Sequence, residues 1–414
     1  MPYIPFVYFI CLAAFFYTKR KRWGIEIAAT CLLIVISFFS IMIDINDVYG
    51  DYGINYDNMT IPTICLYCIQ WTFVLVPLHY LSGLDLSSPP QIKVSLLYVL
   101  FVIIALSSFT MIATSMEDIR DALVMDMIDV YQQHINDISS TKSGAANYLM
   151  FLPQILVTTP FPTLALFLWF YMKTFMKCPV FLEIGILIAS IAQAILAIVI
   201  AGRSAIVFWT FDFFLLFSYF YHYLSKSLKR KILVAALVMG TLIGSVFISI
   251  TISRFDDAKN DRDPFVSLYG YAGQQVNNFC TMIIKGADSP FQISRIFPLT
   301  GKITGQSFDL MEHYQKTATQ VDAAVNVFDT FGGELYLDLG WFGYVLFFIL
   351  LSGVTFFMKM RMTEMEFHNI FILVIFVAFY TRSLFSWPFT GHYTTIAILL
   401  VFTIRYMFKY IFKI

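Results

Sequence analysis

This sequence predicts an all-α polytopic membrane protein with about eleven transmembrane helices (10–12), and three observations predict it. Of the 414 residues, 59% are hydrophobic and only 13% charged, with a mean hydropathy of +0.74, which excludes an ordinary soluble domain. Continuous apolar runs of about 20 residues recur along the chain, the length that crosses a bilayer core as a helix. Basic residues collect between alternate runs, as they do in cytoplasmic loops. A membrane β-barrel would show short alternating segments instead. The formal charge of zero gives no reason to expect nucleic acid.

The first run, 2–17, ends in Lys19-Arg20-Lys21-Arg22 and has no small-residue cleavage pattern after it. A signal peptide carries its basic cluster before its apolar core, so this run reads as an anchor with its N-terminus outside. Spans at about 23–43, 61–81 and 94–114 follow. The loop 44–60 contains no basic residue, and the next connection holds Pro89, Pro90 and Lys93. In the loop 115–147, Ile119, Leu123, Met127 and Val130 recur at helical spacing opposite Asp118, Asp121, Asp126 and Asp129. That pattern is an acidic amphipathic helix, capped by Ser115 and laid on protein rather than lipid.

Spans at about 148–172 and 179–201 flank Lys173 and Lys177, and the turn Gly202-Arg203 leads directly into 205–223. Lys226, Lys229, Arg230 and Lys231 precede the span 232–252. The longest polar region, 253–335, comes next, and spans at 336–358, 370–387 and 393–408 complete the chain. Residues 1–252 thus hold eight spans, 253–335 form a large, partly helical external loop, and 336–414 hold three more spans. On this topology the inner loops and tail carry 16 of the 27 lysines and arginines, while 21 of the 27 acidic residues lie outside. The N-terminus is then outside and the C-terminus cytoplasmic.

Arg203 stands with almost no loop between two apolar runs, where an unpaired charge costs roughly 2.5–3.5 kcal/mol at the bilayer centre. Its side of the membrane also carries Arg254, Arg262, Arg295 and Arg382. Guanidinium groups keep their charge and offer a fork that matches phosphate oxygens, so Arg203, Arg254, Arg295 and Arg382 are candidates for binding a phosphate or pyrophosphate. No nucleotide-binding fingerprint occurs, which favours a lipid-linked donor. Glu334 and Asp338, four residues apart, share one helix face. Glu334, Asp256, Asp257 or His392 would serve as general base toward a hydroxyl.

Within the long loop, Asp263 and Pro264 mark a helix start. Tyr269, Tyr271, Gln275 and Asn278 on that helix combine aromatic faces with amides, a composition that suits a sugar. Asp261-Arg262-Asp263 and Asp44-Ile45-Asn46-Asp47 have the look of acidic metal motifs, but no His/Cys cluster supports a metal, and none is expected. Cys65-Leu66-Tyr67-Cys68 lies in an apolar run and reads as packing, Cys280 stands alone in the polar loop, and no external disulfide framework is possible. His79, His222 and His368 fall on the inner side and carry no signal.

Three features in order and on one side resemble the Wzy-type oligosaccharide repeat-unit polymerases of bacterial O-antigen and capsule assembly. They are the Gly202-Arg203-Ser204-Ala205 turn, the segment Tyr271-Ala272-Gly273-Gln274-Gln275-Val276-Asn277-Asn278-Phe279, and Gly332-Gly333-Glu334-Leu335-Tyr336-Leu337-Asp338-Leu339-Gly340-Trp341-Phe342-Gly343. The resemblance implies a GT-C-like glycosyltransferase of the bacterial inner membrane, acting at its outer face and using no cofactor. Such an enzyme moves a growing glycan from undecaprenyl pyrophosphate onto a carrier-linked repeat unit. Its partners are then these lipid-linked oligosaccharides and membrane lipids, and a chain-length regulator is left open. Arg203 best matches the family's pyrophosphate-binding arginine. An O-antigen ligase shares the donor chemistry, and a lipid-linked oligosaccharide flippase is the alternative from a different class; for that, only Asp212 is a clear ionisable candidate within a span.

Overall fold

The computed structural model describes residues 1–46, 56–86, 94–124, 148–176, 178–200, 204–255, 264–286, 330–389 and 392–411, together with Ile296 and Thr319. In chain order the helices are α1 (Tyr3–Arg20), α2 (Ile25–Ile45), α3 (Ile61–Ser82), α4 (Val94–Thr114), α5 (Met116–Val124), α6 (Tyr148–Val157) and α7 (Phe161–Phe175). They continue as α8 (Val180–Leu196), α9 (Ser204–Phe220), α10 (Lys226–Phe255), α11 (Pro264–Lys285), α12 (Thr330–Arg361), α13 (Phe367–Ser383) and α14 (His392–Tyr406). Among the described residues there is no strand.

By length and composition, α2, α3, α12 and the segment Tyr393–Ile411 are apolar enough to cross a membrane, and α6 with α7 makes a fifth crossing if the bent pair is one span. Helices α8, α9, α13 and Tyr98–Thr114 of α4 are apolar but shorter. The chain is therefore a multi-pass helical membrane protein. Helix α5 begins directly after Ser115, where the amphipathic pattern places it; the rest of that pattern, from 125 to 147, lies outside the described residues.

Met1–Ser88 and Phe265–Thr395 form one compact unit, and Pro89–Pro264 with Ile396–Ile414 form another. The first is built around α3. Thr60 opens this helix with a capping box, its hydroxyl accepting from the Thr63 N–H while the Thr63 hydroxyl accepts from the Thr60 N–H. Tyr67 and Trp71 on α3 are fully buried. The Tyr67 ring meets Phe9 of α1 at 6.2 Å and Phe279 of α11 at 5.6 Å. The Trp71 ring meets Phe331 of α12 at 5.5 Å and Tyr380 of α13 at 5.7 Å. Two aromatic residues one turn apart thus bring four helices onto one.

Where α1, α2 and α3 meet at the basic end of α1, Glu26 is completely buried. Its Oε1 lies 3.2 Å from Arg20 Nε and 3.3 Å from His79 Nδ1. Arg20 also donates to the Ser82 hydroxyl at 3.0 Å. His79, which carries no signal in the sequence, is therefore a half-buried hydrogen-bond partner of the buried Glu26, 53 residues away in sequence.

The second unit is built around α7, whose residues from Phe161 to Leu168 are all buried. Phe170 contacts Phe213, Phe217 and Phe220 along α9. The expectation of one continuous fifth span is corrected: α6 and α7 bend by 65° at Thr158-Thr159-Pro160. Pro160 and Pro162 both lack an N–H for the helical ladder, so the run stays apolar but does not stay straight. Just beyond the bend, Thr163 donates to Asp212 Oδ2 at 2.6 Å, and Asp212 is 2% exposed.

Helix α12 is interrupted at Gly340, with φ 62° and ψ −170°. Only glycine adopts that backbone region without strain. A short arm, 330–339, therefore meets a long arm, 341–361, at an angle. The helix begins at Thr330, six residues before the expected start of the span at 336, and Glu334 lies inside it.

Candidate active site

The short arm of α12 carries both carboxylates. Glu334 and Asp338 lie in one helical segment, as their four-residue spacing requires, and both are completely buried. Gly332 and Gly333 let this arm approach its neighbours closely. A Cβ on Gly332 would fall 1.8 Å from Gln70 Oε1 on α3, and one on Gly333 would fall 2.6 Å from Met282 Sδ on α11.

The end of α13 meets the same arm. Arg382, in its last turn, is 5% exposed and donates from Nη1 to the Thr381 hydroxyl at 2.9 Å. The chain then turns, with the Phe385 and Ser386 N–H groups donating to the Arg382 carbonyl. This turn presents the Trp387 N–H to Glu334 Oε2 at 2.6 Å. The Trp387 indole donates to the carbonyl of Ile296 at 2.9 Å, and its ring is enclosed by Phe347, Phe379 and Phe389. Trp387 thus orients the carboxylate and holds one residue of the long loop. Sequence reasoning missed it because its contribution is a backbone N–H, which no motif reports.

Helix α11 begins at Pro264, as predicted. Gln275 and Asn278 are 1% and 5% exposed, and Tyr269 stacks on Phe39 of α2 with ring centroids 6.1 Å apart. Asn277 and Thr281 tie α11 to the short turn Tyr56–Asn58: Asn58 donates to the Thr281 hydroxyl at 3.1 Å, and that hydroxyl to Asn277 Oδ1 at 3.2 Å. The amide-rich side of this helix is an interior surface of the first unit. Cys280, expected to stand in a polar loop, is fully buried on the same helix, and that expectation is corrected.

Arg203, Asp256, Asp257, Arg262 and Arg295 lie outside the described residues, as do Asp261 and Asp263. Arg254, Tyr271 and His392 are on helices, at positions where only the backbone is described. Of the sequence-derived set, the structure places Glu334 and Asp338 together on the short arm of α12, and buries Arg382 in the last turn of α13, five residues before the Trp387 N–H that meets Glu334. Among the described residues no group of three His, Cys, Asp or Glu side chains is arranged to hold a metal.

An apolar groove runs along α3 and the long arm of α12. Its larger part, about 390 Å³, starts one residue past the Gly340 break and is lined by Leu66, Gln70 and Phe73 opposite Trp341, Tyr344 and Phe348. Gln70 is 1% exposed, and neither its Nε2 nor its Oε1 has a hydrogen-bond partner among the described residues. A second hollow of about 230 Å³ shares Phe73 and Ser352 and continues to Lys359. From Trp341 to Lys359 the helix rises about 27 Å at 1.5 Å per residue.

No protein-family model, no curated protein and no solved structure matches this chain.

Proposed function

We propose that this protein is a Wzy-type polymerase: a GT-C-like membrane glycosyltransferase with about eleven spans that extends lipid-pyrophosphate-linked oligosaccharides at the outer face of a bacterial inner membrane. The observation that carries the reading is the buried Glu334–Asp338 pair on the short arm of α12, with an apolar groove about as long as a bilayer core is thick beginning just past the Gly340 break on the same helix. An amphipathic substrate with a charged head and a long apolar tail suits that combination. The motif order around Arg203, α11 and α12 supports the same class, and the charge count along the sequence supports the sidedness.

In the reaction, an acceptor hydroxyl attacks the anomeric carbon of the donor sugar. The bond from that carbon to the pyrophosphate oxygen breaks with its electron pair, and the new glycosidic bond forms. Glu334, oriented by the Trp387 N–H, takes the hydroxyl proton. Meeting the negative charge that develops on the leaving pyrophosphate is the role that the resemblance implies for Arg203. Arg254 at the end of α10, Arg295 and Asp256 of the long loop and His392 at the start of α14 stay as proposed contributors, and Tyr269 and Tyr271 as proposed glycan contacts, whereas the buried Gln275 and Asn278 are interior side chains of α11.

Purified protein given two lipid-linked repeat units and no nucleotide sugar tests this. Growth of longer glycans supports the polymerase, and an active-looking preparation that extends no such substrate removes it. A flippase is the second reading, favoured by the bent α6–α7 span and the Asp212–Thr163 hydrogen bond. That reading predicts movement of the lipid-linked glycan across vesicles without any change in its length.

A further inference from the structure

The opening turns of α10 hold four cations in six residues: Lys226, Lys229, Arg230 and Lys231. The first turn has no acidic residue, and among the described residues none of the four forms an ion pair with a carboxylate. They sit at the positive end of the helix macrodipole, where cations are disfavoured. Among the described residues, no carboxylate neutralises this cluster.

Three of them, Lys226, Lys229 and Arg230, line an open surface hollow of about 420 Å³ with two chemical halves. Lys226 and Arg230 continue at helical spacing to Val234, and Lys229 continues to Leu233 and Leu237, so charge occupies the first turns and aliphatic surface the next. Leu233, Val234 and Leu237 are 52%, 55% and 72% exposed. Lys229 Nζ is held 4.1 Å from the centroid of the Tyr221 ring, which keeps one ammonium at the rim.

We propose that this hollow binds an anionic phospholipid, its phosphate among Lys226, Lys229 and Arg230 and one acyl chain along Leu233 and Leu237. A free phosphate would meet the cations but leave the aliphatic half uncovered. A zwitterionic lipid would cover the aliphatic half without relieving the charge. Clustered cations beside a span favour anionic lipid for the same electrostatic reason. The site lies in the second unit and does not depend on the polymerase reading.

The test uses the full-length protein released from nanodiscs of mixed phosphatidylglycerol and phosphatidylcholine, with retained lipid read by native mass spectrometry. Phosphatidylglycerol should be retained at least tenfold over phosphatidylcholine. The Lys229→Gln/Arg230→Gln variant should lose most of that preference while its thermal unfolding in detergent stays within a few degrees of the parent. Inorganic phosphate at millimolar concentration should leave retention unchanged. Equal retention of the two lipids, an unchanged preference in the double variant, or displacement by inorganic phosphate would each overturn the assignment. Should the double variant fail to insert, Leu237→Asp carries the test: reduced retention supports the site, and full retention removes it.

Discussion

Glu334→Gln separates the chemical role of this side chain from its structural one. The replacement is isosteric, and its amide carbonyl still accepts from the Trp387 N–H that now meets Oε2 at 2.6 Å. A charge-assisted hydrogen bond becomes a neutral one, a loss of about 1 kcal/mol. A fully buried ionisable group is removed at the same time, which offsets that loss. Folding stability should therefore stay within about 1 kcal/mol of the parent. The proposed proton-accepting role would be lost completely, and general-base catalysis contributes roughly 10²–10⁴-fold, or about 3–5 kcal/mol of activation free energy. The assay is the rate of glycan ladder formation from lipid-linked repeat units, with thermal unfolding measured on the same preparation. Glu334→Ala is the comparison: it leaves the Trp387 N–H unmatched in the interior, at a cost of about 1–3 kcal/mol, and should destabilise as well as inactivate. Parental rates from Glu334→Gln would refute the base assignment. Parental rates there together with inactivity of Asp338→Asn would move the role one helical turn along α12.

Arg203→Ala should abolish polymer while the protein still inserts, and Arg203→Lys should recover little, because a point charge does not replace a guanidinium fork; polymer lengths on gels decide it. Gly273→Ala should destabilise by about 1–2 kcal/mol, read as a lowered melting temperature. Its Cβ would lie 2.4 Å from the backbone of Phe39 and Ser40, an overpacking cost that exceeds the roughly 1 kcal/mol gained in helix propensity. Glu26→Ala should cost about 3 kcal/mol, the low end for breaking a buried ion pair, because Arg20 keeps the Ser82 hydroxyl as a partner; chemical denaturation of the two proteins measures the difference. Burial pushes the Cys280 thiol up to about 12, so below that pH it stays protonated and should resist alkylation in the folded protein. Labelling at pH 8 should become rapid only on unfolding, and fast labelling of native protein would contradict the burial.

The helices were legible because a span of apolar residues is read one stretch at a time, and nearly every predicted run coincides with a helix. The face shared by Glu334 and Asp338 was legible for a similar reason, since four residues fix one side of a helix. The bend at Pro160 was not, because hydropathy reports transfer free energy and not backbone continuity. The partners of Glu334 and Glu26 were illegible too: each depends on chain segments 53 residues away, Trp387 for one and His79 for the other. The amides of α11 illustrate the opposite hazard. A mixture of aromatic and amide side chains reads as a sugar-facing surface, yet Asn277 uses its oxygen to tie α11 to the Asn58 turn through Thr281.

Gly340 gives α12 the mechanics of an articulated lever. The arm bearing Glu334 and Asp338 is clamped by Gln70, Met282 and Trp387, whereas the arm beyond the break has Trp341, Phe342, Ile349 and Phe356 more than half exposed. A bilayer that thins or thickens acts on those exposed residues, and the longer arm accommodates it by tilting. A tilt of that arm would turn about the Gly340 backbone, which lies between it and the acids. Gly340→Ala would place a Cβ on a backbone that strains it and should make thermal stability in bilayers depend more on lipid chain length than in the parent.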